Sequence, residues 1–128
     1  FGGNPIACAA GCAVIDTVNA DGLLARGRQM GERITHRLKA LEAEVPEIAE
    51  VRGPGLMIGI EFADPATRAP LGEVAHRVVA AAQDEGLVLI ECGAEGNVVR
   101  FIPPMVTGDD DLNLGLTRFE AAVGRALE

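Results

Sequence analysis

Arg100 is the residue whose type and position most directly suggest chemistry. It lies in the apolar run NVVRFIPP, where the alternation of a strand puts Arg100 on the same face as Val98 and Ile102. A guanidinium does not deprotonate in proteins, and burying it without an anion is costly. Arg100 therefore needs a carboxylate, which could come from Glu61 or Glu91 within the chain or from a bound ligand.

The stretch FGGNP is the second candidate site, because it places two glycines directly before a helix start. The Asn4 side chain can accept from the first backbone N–H groups of a helix, and Pro5 fits the first helical position. Gly2 and Gly3 allow a close approach to the backbone, and N–H groups at a helix start favour anions. From the residues alone, both an anion site and a tight turn with positive φ remain open.

Metal binding and nucleophilic catalysis have weaker support. Cys8 and Cys12 share a helix face, and Cys92 with a histidine would complete a metal site, but an Ala-rich helix favours small buried thiols. His36 and His76 lie away from the main apolar rows, and no Ser or Cys forms a nucleophile turn beside them. We therefore expect surface histidines and no metal site.

Two further motifs have structural explanations. GPGLMIG at 53–59 has the spacing GxGxxxG and leads into a strand, whereas a dinucleotide fingerprint must lead into a helix. Asp109, Asp110 and Asp111 lack the alternating oxygen ligands of a calcium loop, and they suit the first turn of a helix. Neither motif predicts a ligand.

Apolar spacing predicts the elements that position these residues. We expect helices at 5–19, about 22–44, 71–85 and up to about 126, the last capped by Thr107 or Asp109. Strands are expected in IAEVRG, GLMIGIEF, LVLIEC and NVVRFI. This order predicts an α+β fold: a small, mostly antiparallel sheet of three or four strands with helices packed on one face, preceded by a long helical segment.

Composition narrows the classes of function. The 128 residues fit one domain, and 11 Lys and Arg against 19 Asp and Glu give a net charge of −8, which disfavours nucleic acid. Three cysteines argue for a reducing compartment, and no apolar run is long enough for a membrane span. The sequence predicts a cytoplasmic protein without nucleic-acid or membrane partners.

Three stretches together resemble the C-terminal part of the class III, pyridoxal-phosphate-dependent aminotransferases. In order, they are FGGNPIACAAGCAVID, VRGPGLMIGIEF and GLVLIECGAEGNVVRFIPPMVTGDD, and they extend over most of the chain. The stretch CGAEGNVVRFIPP is particularly similar to 4-aminobutyrate aminotransferases. The resemblance implies the small C-terminal domain of a fold-type I aminotransferase at 1–128, with a helical segment at 1–44 and a sheet subdomain at 45–128.

The resemblance also implies site residues. Phe1, Gly2 and Gly3 would border the cofactor phosphate, usually that of the neighbouring subunit of a homodimer, and Arg100 would hold the substrate carboxylate. The family's Schiff-base lysine and the acidic partner of the cofactor ring lie upstream of GGNP. The one lysine here is Lys39, on an expected solvated helix face, so we expect no catalytic group and no activity from this chain alone.

The implied function is that of a domain in an aminotransferase that moves an amino group from an ω-amino acid, 4-aminobutyrate foremost, to 2-oxoglutarate. Its partners would be the remainder of a longer chain, a second copy in a homodimer, and small amino and 2-oxo acids. The alternative is a freestanding, non-enzymatic α+β module that binds small carboxylates or a protein partner. The absence of a suitable lysine supports that alternative.

Overall fold

The computed structural model describes residues 2–128, which form four helices and four strands. Their order, α, α, β, β, α, β, β, α, is the one that the sequence predicts. In chain order the elements are α1 (Pro5–Ala20), α2 (Leu23–Glu44), β1 (Ile48–Arg52), β2 (Ile58–Phe62), α3 (Gly72–Asp84), β3 (Ile90–Cys92), β4 (Val98–Phe101) and α4 (Asp109–Leu127).

The first two helices begin as their sequences indicate. The Asn4 side-chain oxygen accepts hydrogen bonds from the backbone N–H groups of Ile6 at 2.9 Å and Ala7 at 3.4 Å, which caps α1. Gly22, with φ of 63°, separates α1 from α2, and the chain bends there by 68°. Across residues 2–128 no single helix has the length and apolar character to cross a bilayer, although α1 and α2 taken together pass on those two criteria.

The strands form one antiparallel sheet in the order β1-β2-β4-β3. Ile60 on β2 pairs with Val51 on β1 and Val99 on β4, and all three are buried. Side chains from α2, α3 and α4 complete this core, which includes Met30, Ile34, Leu38, Val78, Leu116, Phe119 and Val123. The expected α+β fold is therefore confirmed, with helices against one face of a four-stranded sheet.

Two local predictions were wrong. The strand expected in LVLIEC is limited to Ile90–Cys92, because Leu87 and Leu89 pack against the helical core and the Leu87 N–H binds the Ala82 carbonyl at the end of α3. The N-cap of α4 is Gly108, which makes no side-chain cap. Asp109 is instead the first helical residue, and its carboxylate accepts from Arg33 of α2 at 3.0 Å.

Candidate functional site

Arg100 lies on the sheet face that turns away from the helices. It pairs with Gly59 of β2 and Ile90 of β3, and Gly59 also pairs with Arg52 of β1. Cross-strand partners share a face, so these positions form one row across the sheet. Gly59 has no side chain, and a Cβ built there would lie 3.2 Å from Val98 Cγ1, so the Val98 side chain occupies the space between the two arginines.

The Arg100 guanidinium lacks an internal acceptor. Arg100 is half-buried, its Nε is fully enclosed, and that atom has no hydrogen-bond partner in residues 2–128. None of the ion pairs found in this part of the chain includes Arg100. A buried polar atom without a partner is rare and costs free energy, so the geometry fits an acceptor that is not part of these residues.

Both carboxylates that the sequence offered as partners of Arg100 are bound elsewhere. Glu61 accepts a hydrogen bond from Arg52 Nη1, and Glu91 lies 2.9 Å from His76 Nδ1. The prediction that Glu61 or Glu91 pairs with Arg100 is therefore wrong. The other partner considered for Arg100, the carboxylate of a bound ligand, stays a prediction.

Arg52 is tied to two carboxylates. Its Nη1 contacts Glu61 and lies 2.8 Å from the Glu50 carboxylate. The hydrogen bond to Glu61, followed by the negative charges of Glu61 and Glu50, raises the pKa of Arg52 above its usual value. Sequence reasoning missed Arg52 as a neighbour of the site. The signal available was the hairpin register of VRGPGLMIGIE, which pairs Arg52 with Gly59.

The glycines before α1 are placed where a ligand could approach. Gly2 and Gly3 are exposed, and a Cβ built at either position would meet no atom within 4 Å. Gly3 has φ of 80°, which a residue with a side chain rarely adopts, so the turn interpretation accounts for this glycine. No contact in residues 2–128 explains why Gly2 lacks a side chain. Phe1, the third residue expected here, lies outside the described residues.

The remaining candidates are ordinary surface groups. Lys39 is exposed, and its Nζ donates to the Glu42 carboxylate at 3.0 Å. Cys8 and Cys12 are exposed on α1, so the expectation of buried thiols was wrong. Among residues 2–128 no group of three His, Cys, Asp or Glu side chains is arranged to hold a metal ion.

Comparison with known proteins identifies the family. The sequence model of class III aminotransferases matches residues 1–123. The 4-aminobutyrate aminotransferase of Mycobacterium bovis is 42% identical over 116 residues, which are 91% of this chain and 26% of that protein. The 5-aminovalerate aminotransferase of Pseudomonas putida is 40% identical over 120 residues, 94% of this chain and 28% of that protein. The chain thus spans about a quarter of the length of these curated relatives.

Solved structures agree in fold. A Bacillus anthracis aminotransferase superposes with a TM-score of 0.89 at 30% identity, over 98% of this chain and 29% of that one. An Arthrobacter phospholyase in complex with phosphoethanolamine gives the same TM-score at 28% identity, over 95% of this chain and 29% of that one. With a family match over residues 1–123 and relatives at 40–42% identity, this chain belongs to the class III aminotransferases and corresponds to their C-terminal part.

Proposed function

We propose that this chain is the single C-terminal domain of a longer aminotransferase that transfers the amino group of an ω-amino acid to 2-oxoglutarate. The relatives named as 4-aminobutyrate and 5-aminovalerate aminotransferases support ω-amino acids as the substrate class, with 4-aminobutyrate foremost. The observation that carries the proposal is the enclosed Arg100 Nε, which lacks an acceptor among residues 2–128. A substrate carboxylate would supply an acceptor for the guanidinium once the half-buried Arg100 side chain turns to uncover it.

Arg100 is the group in this chain that recognises the substrate. Its guanidinium presents parallel N–H donors that match the two oxygens of a carboxylate, and partial burial removes competing water. Both 4-aminobutyrate and 2-oxoglutarate carry a carboxylate, so one arginine can serve amino donor and acceptor in turn. Arg100 lies on the sheet face opposite the helices and is half-buried, so part of its side chain is accessible to a ligand from that face.

Pyridoxal phosphate is the cofactor of the proposed enzyme, and when bound it supplies the electron sink for amino-group transfer. Solved neighbours include a form of the Vibrio fluvialis aminotransferase described as PMP-bound and a mutant described as PLP-bound. We place Phe1, Gly2 and Gly3 beside the cofactor phosphate of the neighbouring subunit in a homodimer. The open space at Gly2 and the positive φ of Gly3 fit such an approach. The covalent lysine must come from another part of the enzyme, and the proposed location is the cytoplasm.

The test is Arg100→Ala in the full-length enzyme that contains this chain. Specificity for 4-aminobutyrate should fall by about 2–4 kcal/mol, the cost of removing one partner of a desolvated charge pair, while n-butylamine should be nearly unaffected. Arg100→Lys should also lose specificity, because a lysine offers one point charge instead of a planar fork. The measurement is kcat/KM for both amines, with thermal unfolding as control. Equal losses for both amines with a lower Tm would show that Arg100 is structural.

The freestanding carboxylate-binding module remains the second candidate, because Lys39 is bound to Glu42 and exposed, and no other lysine is present. The coding sequence upstream of Phe1 distinguishes the two candidates. A cofactor domain encoded in frame supports the aminotransferase, and a start codon directly before Phe1 supports the module.

A further inference from the structure

We propose that Glu42 of α2 blocks the outer edge of the sheet against strand pairing, and that the partner it excludes is β1 of a second copy of this chain. The block is independent of Arg100 and of the proposed enzymatic function. Its components are the outer strand β1, the Glu42 side chain bound across the edge of that strand, and the charged residues on either side of the bound position.

Strand β1 lies at one edge of the sheet, because the strand order is β1-β2-β4-β3 and within residues 2–128 it pairs with β2 alone. Alternate residues of such a strand direct their N–H and C=O groups away from the sheet, where another strand can bind them. A bulge at Ala49 interrupts the start of this edge, since the register shifts between Ile48 and Glu50. The part of the edge that remains suitable for pairing is therefore residues 50–52.

The N–H group in the middle of this edge is bound by a side chain. Val51 N donates a hydrogen bond to Glu42 Oε2 at 2.9 Å. Lys39 Nζ lies 2.7 Å from the same oxygen and donates to Glu42 Oε1 at 3.0 Å, so an ion pair holds the carboxylate in place. Glu42 is half-buried, and the short connection 45–47 from α2 to β1 keeps it beside the strand. A strand from another molecule would have to displace this carboxylate before it could accept from Val51.

The charges on either side of Val51 favour a second copy as the excluded partner. Because Val51 directs its N–H outward, two β1 strands related by a two-fold axis would pair Val51 with Val51 and exchange two backbone hydrogen bonds. The same register places Glu50 of each copy opposite Arg52 of the other, and both residues are exposed. Opposite charges directly across an antiparallel pair are favourable, so this edge is complementary to itself.

The test is Glu42→Ala in the 128-residue chain. It is made together with Val14→Glu and Ile15→Glu, so that the exposed apolar residues of α1 do not cause association. In dilute solution the Val51 amide proton should exchange about tenfold faster than in the chain with Glu42, because it has lost its acceptor. At high concentration, sedimentation velocity should show a weak dimer and exchange at Val51 should slow again. Thermal unfolding of each variant checks that the fold is retained.

Two matched variants separate the hydrogen bond from the charge. Glu42→Gln removes the charge but keeps a side-chain oxygen that can accept from Val51, so this variant should stay a monomer. Glu44→Ala removes an exposed carboxylate from the same turn of α2 and should change neither exchange at Val51 nor association. If Glu42→Ala stays a monomer at high concentration, or if Glu44→Ala dimerises as well, Glu42 does not guard the edge and the inference is wrong.

Reversing charges on β1 identifies the partner. Arg52→Glu added to Glu42→Ala would place like charges opposite each other in the two-fold register and should abolish the dimer. Adding Glu50→Arg as well restores opposite charges in the reversed order and should restore the dimer. A dimer that persists with Arg52→Glu uses another surface, and a folded chain with both charges reversed that stays a monomer excludes the two-fold register. Either result overturns the inference.

Discussion

Gly27 and Gly31, two buried glycines of α2, differ in the space that their surroundings leave for a Cβ atom. A Cβ at Gly31 would lie 2.2 Å from the carbonyl oxygen of Gly55, so α2 would have to move away from the turn after β1. A Cβ at Gly27 would meet Met105 and Leu56 side chains at 3.6–3.7 Å, which is ordinary contact. The same substitution should therefore have opposite effects at the two positions.

We predict that Gly31→Ala lowers the free energy of unfolding by about 1–3 kcal/mol through overpacking. Gly27→Ala should raise it by up to about 1 kcal/mol, because alanine favours a helix interior over glycine. Urea unfolding of both variants and the parent measures the difference. Two changes of the same sign would contradict the close contact between Gly31 and Gly55.

Sequence reasoning singled out Arg100 as a candidate but did not identify the residues beside it. Alternation within NVVRFIPP is a local signal, and it placed a charge among apolar residues. The partners of Glu61 and Glu91 depend on which strands are adjacent and in which register, and a single strand does not specify this. Arg52 therefore became visible as part of the site only when β1, β2 and β4 were assembled.

Helix α1 differs from the other elements because none of its residues is buried. Ile6, Val14 and Ile15 are 81%, 62% and 63% exposed, so an apolar helix surface has no cover within residues 2–128. An exposed apolar surface of this kind is typical of a helix that packs against a neighbouring domain or subunit. The bounds of α1 were predicted well from the sequence because local signals set both of its ends. These signals are the Asn4 cap at the start and Gly22 after the last turn.

We predict that the 128-residue chain on its own self-associates through α1, or exchanges the amide protons of α1 faster than those of α2. Apolar helix surface without a partner is unfavourable in water, and a helix without buried residues has little tertiary stabilisation. Sedimentation velocity and hydrogen exchange measure the two outcomes. Val14→Glu with Ile15→Glu should reduce association without lowering the free energy of unfolding, whereas Leu38→Ala in the core should cost about 2–5 kcal/mol. A monomer in which α1 is as protected as α2 would contradict this prediction.

On the scale of the whole molecule, the sheet separates the apolar core from the face that carries the proposed substrate-binding residue. The helical face holds the shared apolar core, including Ile34, Val78 and Phe119, while the opposite face carries Arg52, Gly59 and Arg100. Sequence patterns predicted this division because apolar residues alternate along β2 and β4. They did not predict that β3 is short: Leu87 and Leu89, which precede it, pack against the helical core instead of extending the strand.

The last prediction is that the 128-residue chain does not transaminate. Its single lysine, Lys39, is exposed and pairs with Glu42, so its amine is neither enclosed nor aimed at the sheet face of Arg100. Pyridoxal phosphate added to the chain should react slowly and without saturation, as it does with any exposed amine. No glutamate should form when 4-aminobutyrate and 2-oxoglutarate are then supplied. Absorbance titration and amino acid analysis measure these outcomes, with Lys39→Arg as the control. Stoichiometric, saturable binding with turnover that Lys39→Arg abolishes would show that this chain is an enzyme by itself and that no lysine from another part of a longer protein is required.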